Sequence, residues 1–359
     1  MALPLLNGLT GKRWGQLMVV DLGNRTTKAV LLERRGDHLA LSGYALLDAP
    51  LFEKRLSREL LSEHLQKVSE ALGHSTKTLA LTVGLDDAVV RQVELPQIPV
   101  DEMRQVLKNN TKTYLQEDLP NHAFDCYVFA PKNVAGDKPG EPPKPAGTFK
   151  FKVLAVAARQ SLVDDFQHAA RDAGLSLNYL VPSLIGPINA FELAMTNVFN
   201  GEVVALVDIG FKHTSVCILD RGEIALSRVV NIGGDKLTAG LAEAMNISYA
   251  EAEGIKVGMA PEVQSTLELQ VMPLGRELRA SLDFFEHQQD RPITQVFVSG
   301  GSARSEMIMQ ILHTEMVVEC KTWNPTSFLQ MALRGQQAVE IDHLGSQLVV
   351  AVGAALAAT

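Results

Sequence analysis

Positive charge is in short supply in this chain: 33 Lys and Arg stand against 41 Asp and Glu, a formal net charge of −8. Nonspecific binding to nucleic acid needs a basic surface, and this composition argues against one. Cysteine is equally sparse. Cys126, Cys217 and Cys320 form no CxxC pair and cannot all pair with one another, so a reducing, cytoplasmic setting is the simplest expectation. No Cys or His cluster has ligand spacing, and no zinc site is expected. Long apolar runs are missing too. The run from Leu348 to Thr359 is far short of the ~20 residues of a spanning helix. The opening Met1 to Gly8 has no basic n-region, so no signal peptide is expected there. Lys12-Arg13-Trp14 is either a weak interfacial contact or a frayed terminus. What remains, 46% hydrophobic and 21% charged residues in a chain of 359, suffices for two domains or one bilobal domain with a substantial core.

One stretch occurs twice. Val19-Val20-Asp21-Leu22-Gly23-Asn24-Arg25-Thr26-Thr27-Lys28 is echoed by Leu206-Val207-Asp208-Ile209-Gly210-Phe211-Lys212-His213-Thr214-Ser215. In both, an apolar strand runs into Asp-aliphatic-Gly, crosses a polar turn ending in Thr and returns as a second apolar strand. Each copy then continues through an Arg-Gly turn into a third strand. Duplication predicts two equivalent halves. A turn of this kind either closes a hairpin and nothing more, or presents backbone N–H groups to a phosphate while its Asp faces a hydrated Mg²⁺. Two such turns in register favour the second reading.

The chain between and after the copies alternates. Leu39–Leu47 reads as a strand, Ser57–Leu72 as a helix with Leu60, Leu61, Leu65, Val68 and Leu72 at helical spacing, and Thr78–Val83 as a buried strand. Residues 85–174 have a different texture. They read β-α-β-β-α: a strand Val89–Leu95, a polar helix Val100–Leu115, strands Asp125–Phe129 and Phe151–Arg159, and a helix Ser161–Ala173 capped by Ser161. Pro131–Gly147 is expected to be a solvated loop. An edge strand in so small a sheet is a natural docking place for a peptide.

After the second hairpin, Gly233-Gly234 opens a helix over Leu237–Met245 and is either a close approach to a ligand or only a tight turn. Glu253 and Lys256 sit three apart on a helix over Tyr249–Val257, either bracketing a ribose or base or forming a solvated ion pair. Leu274–His287 is an amphipathic helix. Gln295–Ser299 runs as a strand into Gly300-Gly301-Ser302, where missing side chains leave room for a base or sugar. A helix over Leu348–Ala357 closes the chain.

Taken in order, Asp21-x-Gly23, Asp208-x-Gly210, Gly233-Gly234, Glu253-x-x-Lys256 and Gly300-Gly301 resemble the phosphate, adenosine and connecting motifs of the actin-like ATPase superfamily. Arg91-Gln92-Val93-Glu94-Leu95-Pro96, Leu154 to Arg159, Ala205 to Gly210 and Val298 to Ala303 make the chain similar to the PilM family of type IV pilus assembly in particular. The resemblance implies an α/β, actin-like ATPase fold of two duplicated lobes with an inserted β-α-β-β-α subdomain. The first lobe would take residues 1–84, 175–200 and 346–359. The insert of 85–174 would bind a partner, and the second lobe would take 201–345, with a helical subdomain at about 235–290.

It also implies ATP with Mg between the lobes. Asp21 and Asp208 would face the metal through water. Gly23, Asn24, Thr26, Thr27 and Lys28 from one turn, and Gly210, Phe211 and Lys212 from the other, would meet phosphate. Gly233, Gly234, Gly300, Gly301 and Ser302 would line the nucleoside, with Glu253 and Lys256 beside the ribose or base. The implied partner is the cytoplasmic tail of a PilN-like single-span inner-membrane protein, with other pilus platform or motor proteins as further candidates. The chain would be cytoplasmic and peripheral to the inner membrane.

Two departures qualify this. Phe211-Lys212-His213 is bulky where small residues are usual, and Tyr179 to Leu184 lacks the acidic residue common there. With nothing to orient an attacking water, at most a weak ATPase is expected. The competing readings are a sugar-type small-molecule kinase, for which only Asp86 and Asp87 offer themselves as a catalytic carboxylate, and a division protein resembling FtsA.

Overall fold

The computed structural model describes residues 14–51, 56–129, 150–258 and 263–358. The loop expected at Pro131–Gly147 and the Lys12-Arg13 stretch lie outside them. Chain order runs β1 (Gln16–Asp21), β2 (Thr26–Arg35), β3 (His38–Asp48), α1 (Arg58–Ala71), β4 (Thr78–Val83), β5 (Ala88–Pro96), α2 (Val100–Asn109), α3 (Thr111–Tyr114), β6 (His122–Val128), β7 (Lys150–Arg159) and α4 (Gln160–Asp172). It continues through β8 (Ser176–Pro182), α5 (Ile185–Ala194), α6 (Thr196–Gly201), β9 (Val203–Ile209), β10 (Thr214–Asp220), β11 (Glu223–Val230), α7 (Gly234–Met245), α8 (Tyr249–Gly258) and α9 (Gln264–Gln289). The last elements are β12 (Gln295–Gly300), α10 (Glu306–Met316), β13 (Glu319–Thr322), β14 (Gln330–Met331), α11 (Gln336–Leu344) and α12 (Val349–Leu356).

The duplication read from the sequence is a duplication of sheets. One sheet has the order β14-β3-β2-β1-β4-β8 and the other β11-β10-β9-β12-β13. In each, an antiparallel pair (β1 with β2, β9 with β10) is joined on its far side by a parallel neighbour, β4 or β12. Parallel strands need a long connection between them. In the first half that connection holds β3 and α1, and in the second β11 and α7–α9.

The insert forms its own three-stranded sheet, β5-β7-β6. Its middle strand shows how alternation ties it to the rest. Val153, Ala155 and Ala157 point into a small core with Leu95, Met103 and Leu107, while Leu154, Val156 and Ala158 join the first lobe's core. Successive side chains point to opposite faces, so β7 is buried on both sides.

Several expectations are corrected. The helix expected over Val100–Leu115 breaks at Asn110, which leaves helical geometry (φ −133°, ψ 43°), as the weak helix formers around it allow. Ser161 is not the cap of α4. That helix starts at Gln160, whose N–H donates to Asn121 O at 2.9 Å. The helix expected from Leu274 begins at Gln264 and runs through Pro273. An interior proline costs about 3 kcal/mol, and burial of Leu267, Val271 and Leu274 in the second lobe's core offsets it.

β14 and α11, which short length and polar composition hide, sit with the first lobe although the expected boundary lies at residue 345. β14 pairs with β3, Gln337 Nε2 donates to Tyr44 O at 2.7 Å, and Trp323, Leu329 and Ile341 join the first core. α12 is buried along its whole length. Trp14 Nε1 donates to Ala358 O at 2.7 Å just beyond it. Among the described residues no single helix is long and apolar enough to cross a membrane.

Candidate functional site

Both hairpin turns line one cleft of about 570 Å³ between the sheets. The two aspartates sit at equivalent strand ends, and each is held by a hydroxyl from the parallel neighbour. Thr82 Oγ1 donates to Asp21 Oδ1 at 2.9 Å, and Ser299 Oγ donates to Asp208 Oδ1 at 2.9 Å. Asp21 Oδ2 accepts from Lys28 Nζ at 3.3 Å. Burial pushes the Asp208 carboxyl above its ordinary range; the Ser299 hydrogen bond and the Lys28 charge oppose this without cancelling it. Each carboxylate thus keeps an oxygen that is not held by its serine or threonine. Among the described residues no three His, Cys, Asp or Glu are grouped to hold a metal. A Mg²⁺ here would keep most of its waters, which suits an ion that sheds them reluctantly.

Of the residues expected at the site, Asp21, Gly23, Asn24, Thr26, Thr27, Lys28, Asp208, Gly210, Phe211, Lys212, Gly234, Glu253, Lys256, Gly300, Gly301 and Ser302 all line the cleft. Gly233 is not among the lining residues, and its lack of a side chain serves packing. A Cβ there would stand 2.3 Å from Phe211 O. This close approach lets Gly234 N–H donate to Gly210 O and Asp235 N–H to Phe211 O, both at 2.9 Å, so the start of α7 is tied to the second turn. Gly300 has φ +94° and would carry a Cβ 2.3 Å from Ile209 O; glycine there lets the chain fold over the strand end.

Glu253 and Lys256 are not a solvated pair. Lys256 is 3% exposed. Its Nζ donates to Glu253 Oε2 at 2.8 Å, Thr238 Oγ1 at 2.7 Å and Gly234 O at 3.2 Å. Burial lowers the Lys256 ammonium from its ordinary range despite that carboxylate. For Glu253, burial pulls upward, but the Lys256 and Thr238 hydrogen bonds with the Lys256 and Arg25 charges carry it below the usual range.

Ion pairs that the sequence does not show join the second lobe to the first lobe and to the insert. Arg25 Nη1 lies 3.1 Å from Glu253 Oε2. His213 Nε2 lies 2.8 Å from Asp86 Oδ2, and Lys152 Nζ lies 2.9 Å from Glu223 Oε2. Asp86 and Asp87 do line the cleft, but each has a basic partner, His213 and Arg159 respectively. Thr82 and Ser299 share a sequence pattern that becomes informative once β4 and β12 are known to pair with β1 and β9: an apolar strand, a hydroxyl residue and a glycine follow each copy of the hairpin, as Leu79 to Gly84 and Val296 to Gly300.

Behind the first turn, buried His64 on α1 has Nε2 2.8 Å from Thr27 Oγ1. Burial, then the Lys67 charge, hold its imidazole below the ordinary 6.5. For a base so lowered, the unfolded chain takes up its proton first on acidification. Stability present above pH 6.5 is therefore lost as pH falls through the lowered value. The melting temperature of the ligand-free protein is expected to fall across that window, and His64→Gln to flatten that part of the profile. An unchanged slope would assign the acid sensitivity to other groups.

A family model described as Type IV pilus assembly protein PilM matches residues 19–359. Cell division protein FtsA of Bacillus subtilis (strain 168) is 23% identical over 358 residues, spanning 92% of this chain and 77% of that protein. Among solved structures, a PilM–PilN type IV pilus biogenesis complex superposes with a TM-score of 0.81 at 20% identity, covering 97% of this chain and 99% of the other. MreB5 of Spiroplasma citri bound to ADP does so with a TM-score of 0.50 at 12% identity, covering 95% of each. The α/β architecture with its two duplicated lobes is the actin-like ATPase fold. Since the family model spans nearly the whole sequence, the chain belongs to the PilM family of type IV pilus assembly proteins.

Proposed function

We propose that the chain is a nucleotide-responsive cytoplasmic scaffold of type IV pilus assembly, peripheral to the inner membrane. It takes Mg-ATP into the cleft and binds the cytoplasmic tail of a PilN-like single-span inner-membrane partner. The observation that carries the nucleotide half is the pair of aspartates at equivalent strand ends of two like sheets, opening with their glycine turns on one cleft. The carboxylates suit a hydrated Mg²⁺, and the turns offer backbone donors to phosphate. Likeness of fold to structures that hold PilN or ADP supports both halves. Residues 85–174 are the proposed partner-binding subdomain, with residues 89–115 as the groove: β5 is an edge strand, able to take an extended peptide.

Turnover is expected to be slow. The stretch Tyr179 to Leu184 brings Ser183 to the cleft but no acid or amide to orient a water. The test is affinity purification of the tagged full chain from its native membranes, with and without Mg-ATP. A small single-span membrane protein should co-purify in an amount that nucleotide changes. Recovery of soluble proteins alone under both conditions would sink the scaffold reading.

A further inference from the structure

Arg25 belongs to the first turn, and its guanidinium reaches into the second lobe. It stands over two aromatic rings, with centroids 5.7 Å away in Phe211 and 5.8 Å away in Tyr249, and its Nη1 is 3.1 Å from Glu253 Oε2. Tyr249 is fixed in turn by its hydroxyl, which donates to Asp235 Oδ1 at 2.8 Å. The bulk of Phe211 in the second turn thereby has a partner in the guanidinium. Arg25, Phe211 and Glu253 line the cleft, and the Arg25 side chain remains 42% exposed.

We propose that Arg25 reads the terminal phosphate of the nucleotide, exchanging Glu253 for it and so coupling the occupied state to the fit between the lobes. This rests on the nucleotide reading given above. Three features support the exchange. First, Glu253 does not need Arg25, because its Oε2 also accepts from Lys256 Nζ at 2.8 Å and lies 2.6 Å from Thr238 Oγ1. Release therefore leaves no orphaned carboxylate, the situation that makes breaking a buried pair costly.

Second, Arg25 sits between Asn24 and Thr26 in the turn proposed to hold phosphate, so its backbone is already placed beside the incoming charge. A terminal phosphate is a more highly charged, bidentate acceptor that matches the guanidinium fork. Third, the two rings attract the guanidinium charge without accepting its hydrogen bonds as a carboxylate does, so its N–H groups can turn to whichever acceptor is stronger. Without nucleotide the same arginine clasps α8 to the first lobe. With the terminal phosphate in place, that clasp opens. ADP, lacking that group, would leave it shut.

The test uses the full chain and two readouts. Affinities for Mg-ATP and Mg-ADP are measured by calorimetry on wild type, Arg25→Ala and Arg25→Lys. In Arg25→Ala, ATP affinity should fall by about tenfold or more while ADP affinity holds, with Arg25→Lys between. Hydrogen exchange is then measured without nucleotide, where α8 should lose protection in Arg25→Ala alone. In wild type, adding ATP should release α8 and adding ADP should not. If wild type binds neither nucleotide, the nucleotide reading falls and this proposal with it. If wild type binds both and Arg25→Ala weakens them equally or not at all, the nucleotide reading stands and the role of Arg25 is overturned.

Discussion

A single methyl group added at residue 353 is expected to destabilise the first lobe by at least about 3 kcal/mol, the upper end of ordinary overpacking. α5 and α12 cross where Gly186 meets Gly353. A Cβ on Gly353 would lie 1.7 Å from Gly186 O and 2.5 Å from its carbonyl carbon. Both obstacles are backbone, so no side chain can swing aside. The helices would have to separate, pulling Ile185, Ile188, Ala351 and Val352, all at 0% exposure, away from their neighbours. Gaps of even a fraction of an ångström forfeit much of the dispersion energy between packed atoms. The hydrogen bond from Asn189 Nδ2 to Gly353 O, 3.1 Å in a buried site, would stretch with them.

Gly353→Ala should therefore lower the melting temperature by on the order of 5–10 °C or prevent soluble expression. Gly254→Ala is the control. No atom stands within 4 Å of its added Cβ, and alanine within a helix should be neutral or gain about 0.5–1 kcal/mol. Equal melting of Gly353→Ala and wild type would show that the helices tolerate separation.

This crossing illustrates what the sequence conceals. Gly353 lies in the apolar run Leu348 to Thr359, where nothing distinguishes a glycine that admits another backbone from one that merely interrupts a helix. Features carried by local repetition were legible. The Asp-x-Gly hairpins recur, so both sheets and both aspartates followed from the chain alone. Patterns that depend on which strand lies beside which were not. Thr82 and Ser299 gain their meaning only when β4 and β12 pair in parallel, placing Ser299 opposite Asp208 and Thr82 one step beyond the Val20–Leu81 pair.

Long-range ion pairs were hidden for the same reason. Arg25 reads as one more polar turn residue until α8 brings Glu253 to it. The Gly233-Gly234 pair shows the opposite limit. One glycine faces the cleft and the other packs on the second turn, a division of labour that two identical letters cannot express. Phe211 looked like an obstruction when considered alone. Its ring centroid lies 5.7 Å from the Arg25 guanidinium carbon, a cation–π partner that a small residue could not supply.

Asp208→Asn should separate stability from ligand response, and the two effects should run in opposite directions. Burial raises the Asp208 carboxyl above its ordinary 3.8. A carboxyl so raised keeps its proton in the folded chain at a pH where the unfolded chain has lost it. Its favourable contribution is thus complete below pH 3.8 and is lost as pH rises through the raised value. Once ionised, the ligand-free wild type holds a desolvated carboxylate that the Ser299 hydrogen bond and the Lys28 charge stabilise only in part. Asparagine cannot ionise, can still accept from Ser299, and should melt higher than wild type without ligand. The difference should shrink toward acid pH.

Mg-nucleotide should invert the order. A carboxylate that orients the water shell of a metal contributes about 10–100-fold to affinity, and a ligand bound only by the folded state stabilises by RT ln(1 + [L]/Kd). Wild type should therefore gain far more in melting temperature from Mg-ATP than Asp208→Asn does, and EDTA should erase the gain in wild type alone. Asp21→Asn provides the contrast. Its carboxylate already accepts from Lys28 and Thr82, so removing that charge strips Lys28 of its partner and should lower ligand-free stability while weakening Mg dependence as well. If Asp208→Asn melts below wild type without ligand, the Ser299 contact matters more than the burial of charge. If it keeps the full response to Mg-ATP, the metal faces some other group.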